Sequence, residues 1–324
     1  MLQAETAGSP TRTQFLVGLF DACLFLSVAG FACFTVGLLF ARAHWLIDNA
    51  TSFELLYFVA AILLFCATQL RRKRFVIVTA TILATYHAYL VLPYYLGAPT
   101  AKASTNTFRI MSANLQWDSP NPRHAYGIIR AEAPDILALQ EVTQERLTQL
   151  ETLRDIYPYW AHCVGENMLG IALLSKTPLL NADRQWVTRG TYPTLIADTE
   201  LNGQRVSIVV THTVPPFSGE WRDQRDAQLA EIGKRISEID GAVILVGDLN
   251  ATMWTPGFSD LIKQTRLANA RQGFGVLPTY SSGRKRLVPI DHVLYRGGLS
   301  VTNCRVGPPM GSDHRALIVD MAIH

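Results

Sequence analysis

The chain is poor in cysteine, in net charge and in repetition. It has five cysteines in 324 residues and no Cys-x-x-Cys pair, which argues against a thiolate zinc site and against a disulfide framework. Cys23, Cys33 and Cys66 lie in apolar runs, where cysteine acts as an inert filler. Cys163 and Cys304 are the two in the later part of the chain, and an oxidising compartment would leave their pairing open. Formal net charge is only +3, and from Ser104 onward Lys+Arg and Asp+Glu balance at 22 each. That part therefore lacks the broad basic footprint of a non-specific nucleic-acid binder, although a local basic groove stays open. There is no internal repeat and no low-complexity tract, which sets aside repeat architectures.

The first hundred residues are rich in long apolar runs. Ala22 to Ala41 is twenty residues without a charge, flanked by Asp21 and Arg42. A helix of that length covers the bilayer's hydrocarbon core, about 30 Å at about 1.5 Å per residue. Phe75 to Gly97 is a second uncharged run, and Leu55 to Leu70, between Glu54 and Arg71, is a shorter third. We expect a membrane domain over 1–97, with spans at about 20–41, 52–70 and 75–97. The first run is too long for the apolar core of a cleavable signal peptide. Tyr94 and Tyr95 fall where an interfacial aromatic belt is expected.

Arg71-Arg72-Lys73-Arg74 marks a cytoplasmic loop, because positive residues in short loops stay inside. Three spans then put everything after Gly97 outside the cytoplasm, which in a Gram-negative cell is the periplasm. A re-entrant second segment would reverse that. Residues 98–106, small and polar with Pro99, read as a linker.

From Thr107 to His324 the pattern changes to short strands alternating with amphipathic helices. Phe108–Ala113, Ile136–Leu139 and Val243–Val246 read as strands; His124–Ala133, Thr143–Arg154 and Trp221–Ile239 read as helices. Leu229, Ile232, Ile236 and Ile239 recur on one face of the last of these. Asn202-Gly203 predicts a hairpin between Thr194–Leu201 and Arg205–Thr211. Late strands at Leu287–Leu294, Leu299–Arg305 and Ala316–Met321 have few helices between them. The expected class is α+β: two mainly antiparallel sheets with helices outside rather than a doubly wound sheet.

Polar groups gather at the ends of the apolar strands. Asn114 ends the first, Glu141 the second, His212 a third, and Asp248 with Asn250 a fourth. Asp291 and the pair Asp313-His314 complete the set. Each taken singly has a bland reading: Glu141 as a helix-start acid, Asp248 and Asn250 as turn formers, His212 as a core histidine. Six such groups at six strand ends point to a site. The donors are oxygens and imidazoles without a thiolate, a set that suits Mg²⁺ or Mn²⁺.

This order of motifs resembles the endonuclease/exonuclease/phosphatase superfamily, which includes DNase I, exonuclease III-type AP endonucleases, sphingomyelinases and inositol polyphosphate 5-phosphatases. The resemblance runs from about Thr107 to the end. It rests on Asn114, Gln140-Glu141, Gly247-Asp248-Leu249-Asn250, Asp291 and Ser312-Asp313-His314. His212 matches the histidine of the DNase I and sphingomyelinase branches. Gln116 stands where some branches carry a second acid, which departs from the AP-endonuclease pattern and leaves Asp118 as the candidate substitute. Thr211-His212-Thr213-Val214-Pro215-Pro216 followed by Trp221, Arg222 and Arg225 is also similar to a membrane-anchored bacterial subgroup.

The resemblance implies a four-layer α/β sandwich and metal-assisted hydrolysis of a phosphoester. Glu141 would ligate the metal, supported by Asn114 and Asp313. His314, oriented by Asp291, would act as base or phosphate ligand. Asp248 would orient the attacking water, and Asn250 and His212 would hold phosphate oxygens. Arg222 and Arg225, at the start of a helix beyond His212, are candidate substrate contacts, as is the basic loop Arg284-Lys285-Arg286. Trp254 is either a core residue or a stacking platform.

The expected substrate is a lipid or glycolipid headgroup, or nucleic acid met outside the cytoplasm. The expected location is the bacterial inner membrane, and no obligate protein partner is evident. A membrane-tethered binding module without catalysis is the rival of another class. It predicts loss of the metal and histidine positions, and none is lost here.

Overall fold

The computed structural model describes residues 11–71, 73–97, 106–120, 122–165, 169–185, 192–282 and 285–324. The helices are α1 (Arg12–Leu38), α2 (Trp45–Ala50), α3 (Glu54–Gln69), α4 (Arg74–Val91), α5 (Pro122–Glu132), α6 (Gln144–Leu150), α7 (Gly219–Ser237) and α8 (Pro256–Thr265). The strands are β1 (Thr107–Asn114), β2 (Ile136–Val142), β3 (Tyr159–Cys163), β4 (Gly170–Ser175), β5 (Leu179–Gln185), β6 (Thr194–Leu201) and β7 (Gln204–His212). They continue as β8 (Ala242–Asp248), β9 (Ala268–Asn269), β10 (Tyr280–Ser282), β11 (Lys285–Val288), β12 (Asp291–Arg296), β13 (Leu299–Val306) and β14 (Leu317–Ile323).

The chain forms two compact units. The smaller comprises the described residues up to Phe40 together with Glu54–Val91; the larger comprises Ala41–Phe53 and Leu92–His324. The larger unit thus includes the segment between α1 and α3. Residues 98–105 of the expected linker lie outside the described residues.

In the smaller unit α1, α3 and α4 pack around Leu24, Val28, Val76, Ala80 and Leu83. Three helical stretches, Arg12–Leu38, Trp45–Gln69 and Arg74–Tyr94, are long and apolar enough to cross a membrane. The first begins earlier than the expected span and stops at Leu38. Polar groups inside this unit are paired, as an apolar surrounding requires: buried His87 lies between Glu54 and Thr35, and Arg71 and Lys73 meet Asp21.

The larger unit holds two six-stranded sheets, ordered β13-β14-β1-β2-β4-β3 and β5-β6-β7-β8-β12-β9, and a two-stranded β10-β11 ribbon. Both sheets are mixed. Each has one parallel pair, β1–β2 in the first and β7–β8 in the second, among antiparallel neighbours. Strand alternation explains the layering. Ile110, Ile136, Ile171 and Leu317 of the first sheet share one cluster with Leu195, Ile208, Ile244 and Val293 of the second. The neighbouring residues Met111, Leu137, Ala172 and Ile318 turn the other way and pack on Ala125, Ile129, Leu147 and Leu150 of α5 and α6. On the second sheet's side, α7 buries Leu229, Ile232 and Ile236, and α8 buries Phe258 and Leu261. The result is two sheets flanked by helices.

Helix α7 starts where Ser218 accepts a bond from the Trp221 N–H, and it ends after Lys234 and Arg235, favourable at a helix C-terminus. The hairpin joining β6 and β7 turns on Asn202-Gly203, both at positive φ. The expected single strand Leu287–Leu294 is instead two. β11 ends at Val288, and β12 begins at Asp291 in a different sheet. Pro289 between them has no N–H to continue a ladder. Cys163 and Cys304 are both free.

Candidate active site

Register brings the strand-end groups together. In the second sheet His212 of β7 stands opposite Asp248 of β8, and Asp248 stands opposite Asp291 of β12. In the first sheet Asn114 of β1 is opposite Gln140 of β2, and Glu141 follows at a register shift between Gln140 and Val142.

The backbone is strained just there. Gln116, Glu141 and Asn250 all have positive φ, at 51°, 57° and 43°. Such strain persists only where surrounding structure over-determines it, and it clusters at functional sites. Asn250 lies past the end of β8, so its positive φ, rather than strand alternation, brings it to the same cleft as Asp248.

Three buried groups form a chain of contacts. His314 Nδ1 is 2.9 Å from Asp291 Oδ2, and its Nε2 is 3.6 Å from Asp248 Oδ2. Asp248 Oδ1 accepts the Asn250 N–H at 2.9 Å, and its Oδ2 accepts from Asn114 Nδ2 at 3.2 Å. His212 Nε2 lies 3.7 Å from the same Oδ2. His212 stacks flat on Tyr192, ring centroids 4.3 Å apart, and its buried Nδ1 has no partner among the described residues. Asn250 spends one Nδ2 donor on the Thr213 carbonyl, at 2.8 Å.

Burial drives the ionisation of this row. It pulls His314 down, but the Asp291 and Asp248 carboxylates outweigh it and raise the imidazole to about 10. Asp248 is raised by burial to about 7. His212 is lowered by burial to about 4, so its ring is neutral at pH 7. Burial opposes ionisation of Asp291, yet the His314 imidazolium beside it holds it below the usual carboxylate range.

Glu141 is held by Asn114 Nδ2 at 2.9 Å and by the Trp117 N–H at 3.0 Å. Gln116 Oε1 accepts the Asp313 N–H at 2.8 Å, and Ser312 Oγ donates to the Asn114 carbonyl at 2.9 Å. Gln116 therefore fixes the Asp313 backbone. Burial raises the Asp313 carboxyl, and nearby Glu141 adds to this against the pull of His314.

These groups open into one cavity of about 380 Å³. Glu141, His212, Asp248, Asn250, Asp313 and His314 line it. The first-sheet and second-sheet groups thus meet in one place. Sequence reasoning missed Tyr192, Tyr280, Asn49, Ser52, Phe53 and Phe217, which also line it. Tyr192 and Phe217 lie outside helices and strands, where no periodic signal separates a cleft wall from a filler.

Two expectations need correction. Arg222 and Arg225 are not among the residues lining the cavity. Arg225 is wholly buried; it reaches Asp48 Oδ2 at 2.9 Å, Asp226 Oδ1 at 2.7 Å and the Asn250 carbonyl at 3.3 Å. Arg222 donates to the Arg42 carbonyl at 3.3 Å and pairs with Asp223. Both guanidiniums are used on protein groups and so are structural. Trp254 packs edge-on against Tyr94. The side chains of Arg284, Lys285 and Arg286 lie outside the described residues.

Glu141 and Asp313 bring two carboxylates to a cleft lined by no lysine or arginine among the described residues. Such carboxylate oxygens are of the kind a hard divalent cation takes, while the Asn114 amide oxygen accepts the Gln116 N–H at 3.0 Å and its nitrogen donates to Glu141 and Asp248. Asp248, Asp291 and His314 also offer donor atoms within 4.8 Å of one another. There, however, Asp291 and His314 already bond each other, which favours proton handling.

The Endonuclease/Exonuclease/phosphatase family model matches residues 111–314. The chain belongs to this family. Among solved structures it is similar to an endonuclease/exonuclease/phosphatase from Beutenbergia cavernae DSM 12333, at 21% identity and TM-score 0.56, over 67% of this chain and 72% of that one. Sphingomyelinase C from Streptomyces griseocarneus gives 18% identity and TM-score 0.54, over 67% of this chain and 99% of the other. D. rerio TDP2 complexed with single strand DNA product gives 16% identity and TM-score 0.56, over 66% and 98%. At these identities the likeness shows the fold. A comparison with curated proteins finds no match.

Proposed function

We propose that the chain is a membrane-anchored, divalent-metal-dependent phosphoesterase whose substrate is the phosphoester of a membrane amphiphile. The observation that carries this reading is that His314, held from behind by buried Asp291, and Asp248 line the same cavity as Glu141 and Asp313. Glu141, Asn114 and Asp313 would hold Mg²⁺ or Mn²⁺, which when bound would neutralise phosphoryl charge and favour departure of the leaving oxygen.

The protein groups divide the remaining work. Asp248 has one oxygen fixed by the Asn250 N–H and the other by the Asn114 amide, and from the cleft wall this second oxygen takes the proton of the attacking water. The water oxygen bonds to phosphorus as the ester P–O bond breaks, and the alkoxide leaves with a proton from solvent. His314, held by Asp291, keeps Nε2–H for a phosphate oxygen. His212, flat against Tyr192, and the second Nδ2 hydrogen of Asn250 supply further donors.

The apolar helices support a membrane anchor, and the Arg71–Arg74 cluster supports an extracytoplasmic catalytic unit in a bacterial inner membrane. A reporter fused after Gly97 should signal only outside the cytoplasm. A nuclease acting there is the second reading, favoured by the likeness to TDP2 bound to single strand DNA product.

The test is a panel of bis(p-nitrophenyl) phosphate, p-nitrophenyl phosphate, phospholipid and DNA, run on the purified full chain with Mg²⁺ or Mn²⁺ and with chelator. Glu141→Ala and His314→Ala should each abolish turnover. Activity that survives both changes would sink the site assignment.

A further inference from the structure

Residues 41–53 lie between α1 and α3, yet they belong to the larger unit. They are pinned to it at four points. Arg42 forms a two-bonded pair with Asp260, both bonds 2.7 Å. Asp48, wholly buried, meets Arg225 at 2.9 Å. Asn49 Nδ2 donates to the Pro216 carbonyl at 2.8 Å, and Thr252 Oγ1 reaches Ser52 Oγ at 3.4 Å. The partners are not random surface. Arg225 also holds the Asn250 carbonyl, Pro216 follows His212 on the same loop, and Thr252 follows Asn250.

The consequence is a built wall. Asn49, Ser52 and Phe53 line the same cavity as the catalytic groups, beside Pro215, Pro216, Phe217, Val288 and Ile290. Phe217 is 71% exposed and touches Trp221, itself 42% exposed, at a ring separation of 5.9 Å. The cavity lining therefore carries apolar groups as well as ionic ones. A nucleic-acid backbone calls for lysine and arginine along its track, and none of the described lining residues is either. An aliphatic chain attached to a single phosphoester matches both kinds of group. Phe53 is followed directly by Glu54, the first residue of apolar α3.

We propose that residues 41–53 are a substrate-selecting wall of the catalytic cleft, with Phe53 the residue that favours phosphoesters of amphiphiles and Asp48–Arg225 the pair that holds the wall in place. The proposal rests on the phosphoesterase reading above and adds the element that sets its substrate class.

The full chain is assayed in detergent micelles with Mn²⁺ on two diesters that share a leaving group, ethyl p-nitrophenyl phosphate and dodecyl p-nitrophenyl phosphate, and on a single-stranded oligonucleotide. The dodecyl ester should show the higher kcat/KM. Phe53→Ala should lower the dodecyl-to-ethyl ratio about tenfold, as loss of a buried aromatic contact implies, chiefly through KM for the dodecyl ester. Phe53→Leu, which stays apolar, should keep most of it. Phe217→Ala probes the same apolar side if Phe53→Ala does not fold. Ratios unchanged in the folded variants overturn the wall, as does a wild-type preference for the ethyl ester or the oligonucleotide. Wild-type protein inactive on all three substrates overturns the phosphoesterase reading itself.

Discussion

Asp48 and Arg225 lie 177 residues apart in sequence and 2.9 Å apart in space, with both side chains almost wholly buried. Arg225 also pairs with Asp226, whereas Asp48 Oδ1 has no hydrogen-bond partner among the described residues. Removing one partner of a buried ion pair strands the other charge, at a cost of about 3–5 kcal/mol. Arg225→Met, which leaves buried Asp48 without its ion-pair partner, should therefore lower the unfolding free energy of the full chain in detergent, read from urea titration, by an amount of that order. Adding Asp48→Leu to Arg225→Met should cost less than Arg225→Met alone, because the stranded buried carboxylate is then gone. A double variant less stable than the single would show that the pair is not the source of the effect.

The Asp291–His314 bond makes a kinetic prediction. His314→Ala should lower kcat by about 10²–10³-fold, the usual cost of removing one positioned donor to the charge that develops on the phosphoryl oxygens. Asp291→Asn keeps the shape but loses the negative charge that holds the imidazole protonated, so it should cost a substantial part of that factor with little change in KM. If Asp291→Asn raised KM and left kcat intact, His314 would be a binding group alone.

Much of this site is legible in the sequence, because its parts obey a local rule. An apolar strand carries the polar residue near its end to the sheet edge, and Asn114, Glu141, His212 and Asp248 sit that way, whereas Asp291 opens β12 and His314 lies just before β14. The wall is not legible there, because nothing local ties residue 48 to residue 225. Two weak signals exist. Asp48 is one of two carboxylates, with Glu54, within the apolar stretch Trp45–Gln69, where an acid needs a partner. Arg225 falls on the same helical face as Leu229, Ile232 and Ile236, a buried register for a charge. The break of Leu287–Leu294 at Pro289 is readable from proline chemistry alone, whereas the stack of Tyr192 on His212 depends on a loop with no periodicity.

Gly247 tests how tightly the second sheet carries the site. Its φ is +147°, and a Cβ there would lie 1.9 Å from the Thr211 carbonyl oxygen on β7. Residues other than glycine in such conformations cost about 1–3 kcal/mol before any clash. Gly247→Ala must also push β7 from β8 at the step that aligns His212 with Asp248. The variant should be less stable by at least that amount and should lose activity well beyond the loss explained by its unfolded fraction. Activity that tracks the folded fraction alone would mean that the His212–Asp248 alignment does not matter to turnover.

The acid limb of stability should come in part from His292, which takes no part in the proposed chemistry. Its ring is wholly buried, with Nε2 2.9 Å from the Ala251 carbonyl and Nδ1 3.2 Å from the Arg271 guanidinium. Burial, and then the charge of Arg271, lower it to about 3 from the 6.5 it has when unfolded. Below pH 6.5 the unfolded chain takes up a proton that the folded chain refuses, so folding loses stability as pH falls from 6.5 toward 3 and the contribution is intact above that window. At pH 5 the loss is about 2 kcal/mol, from 1.36 kcal/mol per unit of pH difference. His292→Gln offers an amide that does not titrate in place of the ring, so it should be less stable than wild type at pH 7.5 but should flatten the fall between pH 7.5 and 5. Urea unfolding at the two pH values measures both, and an equally steep fall in the variant would assign the acid sensitivity to other groups.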